Sequence, residues 1–110
     1  MEKSIEKSIE KSIEKCIDKC KLCIKHCMKM KDMKELLMAC EDCITAGELC
    51  IKYNKMQFNN SKLNITKYLL KLCAKACKLC IKACKKHKPN KHCNECIEAC
   101  EKCIILCKTN

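Results

Sequence analysis

The sequence predicts an all-α protein, an antiparallel up-down four-helix bundle with a cysteine-lined core. Cysteines recur at steps of three and four residues in four separate sets, which places each set on one face of an α-helix. The chain has 110 residues but only one Gly, one Pro and three aromatic residues, too few for the many turns of a small sandwich or barrel. This length suits one domain, which we assign to residues 1–110.

The sixteen cysteines take the positions that Leu and Ile hold in the core of most helical bundles. Isoleucine directly follows seven of them, so each cysteine stripe gains an apolar flank about 100° around the helix. This flank either seals the gap between neighbouring helices or faces another subunit. The four sets are Cys16, Cys20, Cys23 and Cys27; Cys40, Cys43 and Cys50; Cys73, Cys77, Cys80 and Cys84; and Cys93, Cys96, Cys100, Cys103 and Cys107.

The helix boundaries follow from these stripes and from the breaks between them. Asp32 is the predicted N-cap of the second helix, and the cluster Asn59-Asn60-Ser61 predicts a loop after it. The sequence Lys88-Pro89-Asn90 predicts the last break. Such short connections imply antiparallel neighbours. The predicted helices span residues 3–29, 32–55, 62–86 and 91–107.

The first 15 residues repeat Ser-Ile-Glu-Lys three times, and a fourth repeat has Cys16 in place of Ser. The stripe formed by Ser4, Ser8 and Ser12 therefore runs into the cysteine stripe. A step of four residues drifts by about 40° per repeat against a period of 3.6. We expect residues 1–15 to form a low-complexity helical extension of the first helix that leaves the core or frays.

All 24 basic residues are Lys, and the net charge is +11. Bidentate guanine contacts and base stacking favour Arg, which the chain lacks, so we expect solvated lysine faces and no nucleic-acid site. No stretch approaches the roughly 20 apolar residues of a membrane span, and we expect no membrane contact. The N-terminal segment is charged every few residues, unlike a signal peptide, which favours a cytoplasmic location.

In a reducing compartment, so many thiols are metal ligands more often than cross-links. A disulfide-linked helical scaffold or chaperone is an alternative, although cysteines four apart on one helix lie about 5–6 Å apart at Cβ, too far for a bridge. Because cysteine is small, bridged soft metal ions would fill an otherwise underpacked core. Zn(II) would occupy about four closed tetrahedral sites. Cu(I) shares its thiolates and would bind at roughly one ion per cysteine, which the continuous stripes favour.

The four cysteine-striped helices, the Cys-Ile pairs and the passage from Cys84 through His87, Pro89 and His92 to Cys93 resemble the bacterial copper storage proteins. The resemblance covers residues 13–107 and is greatest to the cytosolic branch. It implies a four-helix bundle that fills with Cu(I) through inward-facing cysteines, assembles as a tetramer and takes up metal at an end with histidines. The expected function is storage and buffering of Cu(I), with a zinc or general soft-metal sink as the alternative. Apart from the cysteines, no catalytic constellation indicates an enzyme.

The predicted topology brings the end of the first helix, the start of the second, the end of the third and the start of the fourth to one end of the bundle. His26, His87 and His92 all fall there. We predict that they form the entrance for Cu(I), as weak ligands that pass ions inward to thiolates. For the methionines at the same end, ordinary packing is the favoured interpretation. These methionines are Met28, Met30 and Met33.

Two further expectations concern the interior. Gly47 occupies the step between Cys43 and Cys50 where the spacing calls for another thiol, and either a close approach of a backbone or metal cluster or simple divergence would explain it. At the end of the bundle opposite the histidines, apolar residues should form a plug. They are Ile13, Phe58, Leu63, Ile65, Leu69 and Leu70.

Overall fold

A computed structural model describes residues 7–56, 61–87 and 90–108, and this part of the chain contains four α-helices. Each helix packs against two neighbours, and the bundle measures 47 × 19 × 17 Å. None of the four is long and apolar enough to span a membrane. The predicted all-α bundle is confirmed. The helices are α1 (Lys7–Cys27), α2 (Lys34–Met56), α3 (Ser61–Lys85) and α4 (Lys91–Lys108).

The order of contacts along the helices shows that neighbours run in opposite directions. On α1, Cys16 and Cys23 contact Cys100 and Cys93 of α4, so rising positions on one helix meet falling positions on the other. The α2–α3 pair shows the same reversal. The end of α1, the start of α2, the end of α3 and the start of α4 therefore lie together. We call this the histidine end, and the opposite one the far end.

The start of α2 differs from the prediction. Asp32 has a φ of 58°, in the left-handed region, and lies in the turn before the helix. The carbonyl of Met33 accepts the first helical hydrogen bond, from the backbone N–H of Leu37 at 2.8 Å. Asp32 is therefore not the N-cap, and the prediction was wrong. Aspartate tolerates the left-handed conformation better than most residues, so the same side chain suits the turn.

The stripe on α1 begins with isoleucine and not with serine. Ile9 and Ile13 are buried, with exposed fractions of 2% and 1%, whereas Ser8 is exposed and Ser12 half-buried. Counting back from Cys16 in steps of three and four residues leads to Ile13 and Ile9, which keeps the core stripe on one face. The repeat therefore contributes to the core from its isoleucines. Ser4 lies outside the described residues.

Only part of the apolar plug predicted for the far end is present among the described residues. Ile13, Leu69 and Leu70 are buried there. Ile65 is 43% exposed, so its assignment to the plug was wrong; it lies on the outward side of α3, next to the buried Thr66. Phe58 and the side chain of Leu63 lie outside what the structure describes.

Gly47 lets α2 approach the apolar flank of α1. A Cβ atom at this position would lie 3.0 Å from Cγ1 of Ile17 and 3.1 Å from Cγ2 of Ile13. These are tight contacts with side chains that are themselves buried, so a cysteine here would press against α1. The gap in the cysteine stripe is therefore a packing feature of the α1–α2 interface.

Charge is distributed unevenly over the outer surface. The α3 segment contains seven Lys and no acidic residue, whereas α2 contains four acidic residues and three Lys. The lysines of α3 lie mainly on its solvent side, and Lys67, Lys71 and Lys75 are all exposed. The α2–α3 half of the molecule therefore presents adjacent acidic and basic strips.

Candidate metal centre

The thiols form one column along the bundle axis. All sixteen cysteines are buried and are free thiols. Neighbouring Sγ atoms lie 3.5–3.9 Å apart over most of the column. Cys16, for example, contacts one cysteine from each of the other helices: Cys43 at 3.7 Å, Cys77 at 3.8 Å and Cys100 at 3.5 Å. The inward orientation predicted for the four stripes is present.

Five groups of cysteines in the described chain have all their Sγ atoms within 4.8 Å of one another. Three groups contain four thiols and two contain three, and together they follow the column from the histidine end to the far end. In that order the groups are Cys23, Cys84 and Cys93; Cys20, Cys40, Cys80 and Cys96; Cys20, Cys43, Cys80 and Cys100; Cys16, Cys43, Cys77 and Cys100; and Cys73, Cys77 and Cys103.

The sulfur spacing fits thiolate coordination. A Zn–S bond of about 2.3 Å gives sulfur–sulfur edges of about 3.8 Å in a tetrahedron, and a three-coordinate ion with similar bonds gives about 4.0 Å. The observed separations of 3.5–3.9 Å lie close to both values. A soft ion at the centre of a group therefore needs little movement of the helices. Each ion would also satisfy several sulfurs that now have only one another as partners.

Sharing between groups distinguishes this column from a row of separate sites. Cys20, Cys43, Cys77, Cys80 and Cys100 each belong to two groups. The middle four-thiol group shares two cysteines with each of the other two. Only two four-thiol groups can therefore be filled at once by ions that do not share ligands. Ions that accept bridging thiolates can occupy the whole length.

Three cysteines lie outside the five groups. Cys27 is fully buried at the histidine end. Cys50 donates its thiol hydrogen to the carbonyl of Leu69 at 3.2 Å. This hydrogen bond would be lost if Cys50 gave up its proton to bind a metal ion. Cys107 contacts Cys103 at 3.9 Å and so extends the column past its last group. All three remain next to the column.

The structure brings two of the three histidines together. The rings of His26 and His92 lie 4.7 Å apart between centroids and are tilted by 40°. Nδ1 of His92 is buried and has no hydrogen-bond partner in the described chain. His92 directly precedes Cys93 in the first turn of α4, so the unsatisfied nitrogen belongs to the histidine end of the bundle. An imidazole nitrogen in that state can accept a proton or bind a soft ion.

His87 lies apart from that pair, on the side of α2. It lies near Glu35, whose pKa is held below its usual range chiefly by the hydrogen bond from Nζ of Lys86 at 2.9 Å and least by His87. No group of three or more metal-ligating side chains in the described residues includes a histidine. The structure therefore places all three histidines at one end of the bundle, as expected, but brings only His26 and His92 into ring contact.

The methionines at this end differ in their environment. Met33 is buried with 6% exposure and packs in the core. Met28 and Met30 are exposed, at 67% and 44%. Packing therefore explains Met33 and leaves the other two in solvent.

Asn90 is a residue at the site that sequence reasoning did not assign to it. Its Oδ1 accepts the backbone N–H of Cys93 at 2.9 Å and caps α4. Its Nδ2 donates to the Sγ of Cys93 at 3.3 Å. The side chain therefore holds both the backbone and the sulfur of the first cysteine of α4. The spacing Asn-x-x-Cys at a helix start was the signal for it.

Burial and thiol–thiol contacts shift the pKa values of the cysteines. Burial raises the pKa of Cys93 from 9.0 to about 11, and the contact with Cys103 raises that of Cys107 to about 12. Within the pair Cys16 and Cys100, the hydrogen bond lowers the pKa of Cys16 and raises that of Cys100, because one proton serves both sulfurs. Metal binding at Cys93 and Cys107 therefore has to displace protons that these thiols hold tightly.

A family model described as copper storage protein matches residues 1–110, the whole chain. No curated protein matches the chain. The match includes the N-terminal repeat and every cysteine of the column.

The metal-free protein should lose stability at alkaline pH. The pKa of Cys93 is higher in the folded protein, about 11, than the ordinary 9.0, so its contribution is complete below pH 9 and is lost as the pH rises through 11. The urea midpoint of the reduced protein should therefore fall over this range. The fall should be smaller in Cys93→Ser, which removes one ionisable thiol. Identical pH profiles for the two proteins would contradict this assignment.

Proposed function

We propose that this chain, which belongs to the copper storage protein family, stores and buffers Cu(I) inside its helical bundle. The observation that carries the proposal is the column of buried thiols in which five cysteines each belong to two ligand groups. Thiolate sulfur is a soft ligand and Cu(I) a soft ion that accepts low coordination numbers and bridging ligands. The protein would act in copper homeostasis, without catalysis and in the cytoplasm.

Zinc fits the same column less well. Closed zinc sites have four ligands of their own, and among the described residues only two four-thiol groups share no cysteine with each other. A zinc sink would leave about half of the cysteines without a complete tetrahedral site, whereas other soft ions that accept bridging thiolates would compete with Cu(I) for the same column. Cu(I) can use all sixteen thiols. We therefore propose about one Cu(I) ion per cysteine, with the sixteen cysteines as ligands and His26, His87 and His92 as weak ligands at the entrance.

Anaerobic titration of the reduced protein tests this function. Cu(I) should bind to about 16 ions per chain, and Zn(II) should saturate near two, because a closed zinc site takes four thiolates of its own and only two described four-thiol groups share no cysteine with each other. The variant Cys100→Ser should lose about one or two Cu(I) ions and stay helical by circular dichroism, since bridging spreads each ligand over neighbouring ions. Saturation with Cu(I) at two to four ions, or loss of all binding in Cys100→Ser, would refute a shared column.

The histidines should affect the rate of transfer more than the capacity. Neutral imidazole binds Cu(I) less tightly than a bridging thiolate does, so residues at the entrance act in transfer. Replacing His26, His87 and His92 with Ala should slow anaerobic loading from a cationic Cu(I) complex, while capacity falls by at most a few ions. Because the rings of His26 and His92 contact each other, restoring that pair should recover most of the rate. A triple variant that loads at the parent rate would place the entrance elsewhere.

An apolar groove between α2 and α3 supports self-association. It has a volume of about 920 Å³. Met38, Leu72 and Leu79 line it and are 42–55% exposed. Acidic residues stand on the α2 side of the groove and lysines on the α3 side. In a two-fold arrangement, α2 of one copy would face α3 of another, which brings opposite charges together.

We therefore propose that copies of this chain associate through the α2–α3 face, in a tetramer as the family resemblance implies. Sedimentation equilibrium should give a multiple of the 12.7 kDa chain mass for the parent protein. Leu79→Glu, in the groove, should shift the protein toward smaller species. Ile105→Glu is the matched control, because Ile105 is 61% exposed on α4 and lies outside the groove. A monomeric parent, or equal shifts in both variants, would contradict this interface.

A further inference from the structure

The sulfur column comes nearest to solvent at Cys107. This residue is 7% exposed, and every other cysteine is at most 3% exposed. At the histidine end, Cys27 is fully buried and Cys93 is 1% exposed. The most accessible thiol therefore lies at the far end, on the side of the bundle formed by α3 and α4.

Cys107 lies in a lysine-lined groove between α3 and α4. The groove has a volume of about 640 Å³, and its lining residues include no carboxylate. Lys108 lies close enough to Lys78 for its charge to lower the pKa of that amine, which shows that positive charges crowd the groove. A bound anion would relieve this repulsion. The five lysines that line it are Lys67, Lys71, Lys75, Lys78 and Lys108.

A continuous path of thiols leads inward from this groove. Cys107 contacts Cys103 at 3.9 Å, and Cys103 contacts Cys73 at 3.9 Å. Cys73 and Cys103 form a three-thiol group with Cys77, which is shared with the next group along the column. An ion that reaches Cys107 can therefore move by exchange between adjacent sulfurs without crossing apolar side chains.

We propose that the lysine-lined groove is a second metal-transfer site, which binds anionic Cu(I) thiolate complexes and passes their copper to Cys107. The lysines supply the counter-charge, and Cys107 supplies the accepting sulfur. The site would take small complexes in which two thiolates hold one Cu(I) and the net charge is negative. A bare or cationic copper species gains nothing from these lysines. The inference rests on the proposed storage function and concerns the route by which copper arrives.

The transfer is a ligand exchange in which no atom changes oxidation state. The sulfur of Cys107 forms a bond to Cu(I) as one bond to a carrier thiolate breaks. The proton of the Cys107 thiol goes to the departing thiolate, which leaves as a neutral thiol. Copper then remains bound to Cys107 and to the second carrier thiolate, with the same total charge as before. Cys103 then forms a bond to the copper as the bond to the second carrier thiolate breaks; that thiolate takes the Cys103 proton and leaves as a neutral thiol, so Cys103 and Cys107 hold the ion.

Loading kinetics with two donors of opposite charge test the site. One donor is Cu(I) bound by glutathione, an anionic thiolate complex, and the other is cationic tetrakis(acetonitrile)copper(I). In 10 mM buffer, Lys71→Gln/Lys78→Gln/Lys108→Gln should load from the anionic donor about tenfold more slowly than the parent. The effect should shrink in 0.5 M salt, because screening shortens the range of the charges. Loading from the cationic donor should not slow.

The matched control replaces three exposed lysines on α1 and α2, away from the groove, as Lys11→Gln/Lys21→Gln/Lys52→Gln. It changes the net charge by the same amount. The control should load from the anionic donor at close to the parent rate. Equal slowing in both triple variants, or equal slowing with both donors, would overturn the site and leave only an effect of net charge.

A second pair of variants tests Cys107 itself. Cys107→Ser should slow loading from the anionic donor, while capacity falls by about one or two ions. Ile105→Ser should load at the parent rate and to the parent capacity, because Ile105 is not a ligand, is 61% exposed on α4 and lies outside the groove. Equal rates in the two variants would overturn the transfer role. A parent that binds no Cu(I) would refute the storage function instead, so the two failures are distinct.

Discussion

Sulfur–sulfur contact in the core is the constraint on which the rest of the structure depends. Cysteine is smaller than the Leu and Ile that fill most bundles, so the helices can pack only where the thiols of all four meet. Each missing methylene removes about 1 kcal/mol of burial. The metal-free bundle therefore relies on the isoleucine flanks, on the plug at the far end and on the close approach of α2 to α1 at Gly47. Ions that bind only the folded column add to its stability through mass action.

The fold could be predicted from the sequence because the cysteines recur with the period of an α-helix. Steps of three and four residues fix which face of each helix is inward, and the three breaks between the cysteine sets fix the number of helices. Local backbone conformations were harder to predict. Asp32 is suitable by residue type both as a helix N-cap and as a residue in a left-handed turn. Only the hydrogen bond from Leu37 to the carbonyl of Met33 shows that it lies in the turn. Ser12 and Ile13 lie next to each other in the repeat. Only by extending the cysteine stripe backward from Cys16 can one tell that Ile13, and not Ser12, points inward.

The candidate site could be predicted as a set of residues but not as a geometry. The stripes identify all sixteen cysteines, yet which thiols share a group depends on how far α1, α2, α3 and α4 are shifted along one another. Likewise, nothing in the spacing of the three histidines predicts that His26 and His92 are in contact while His87 is not. Cys107 resembles the other cysteines of α4 in spacing, and its greater exposure arises from the groove beside it.

The two ends of the column have different chemistry. The histidine end offers neutral imidazole, one unsatisfied nitrogen and thiols that are closed to solvent. The lysine-lined groove at the far end offers concentrated positive charge and the thiol of Cys107, the most exposed of the sixteen. Under the proposed storage function, copper would need routes to the buried column that match the form in which it arrives. We propose that the polar surfaces at the two ends govern exchange and that the column governs capacity.

X-ray absorption at the copper edge, on protein loaded with Cu(I) under anaerobic conditions, tests the central claim most directly. A shared thiolate column predicts a first shell of sulfur alone, with two or three neighbours per copper, and scattering from nearby copper ions. A first shell dominated by nitrogen or oxygen, or sulfur coordination without any copper–copper scattering at full loading, would contradict it.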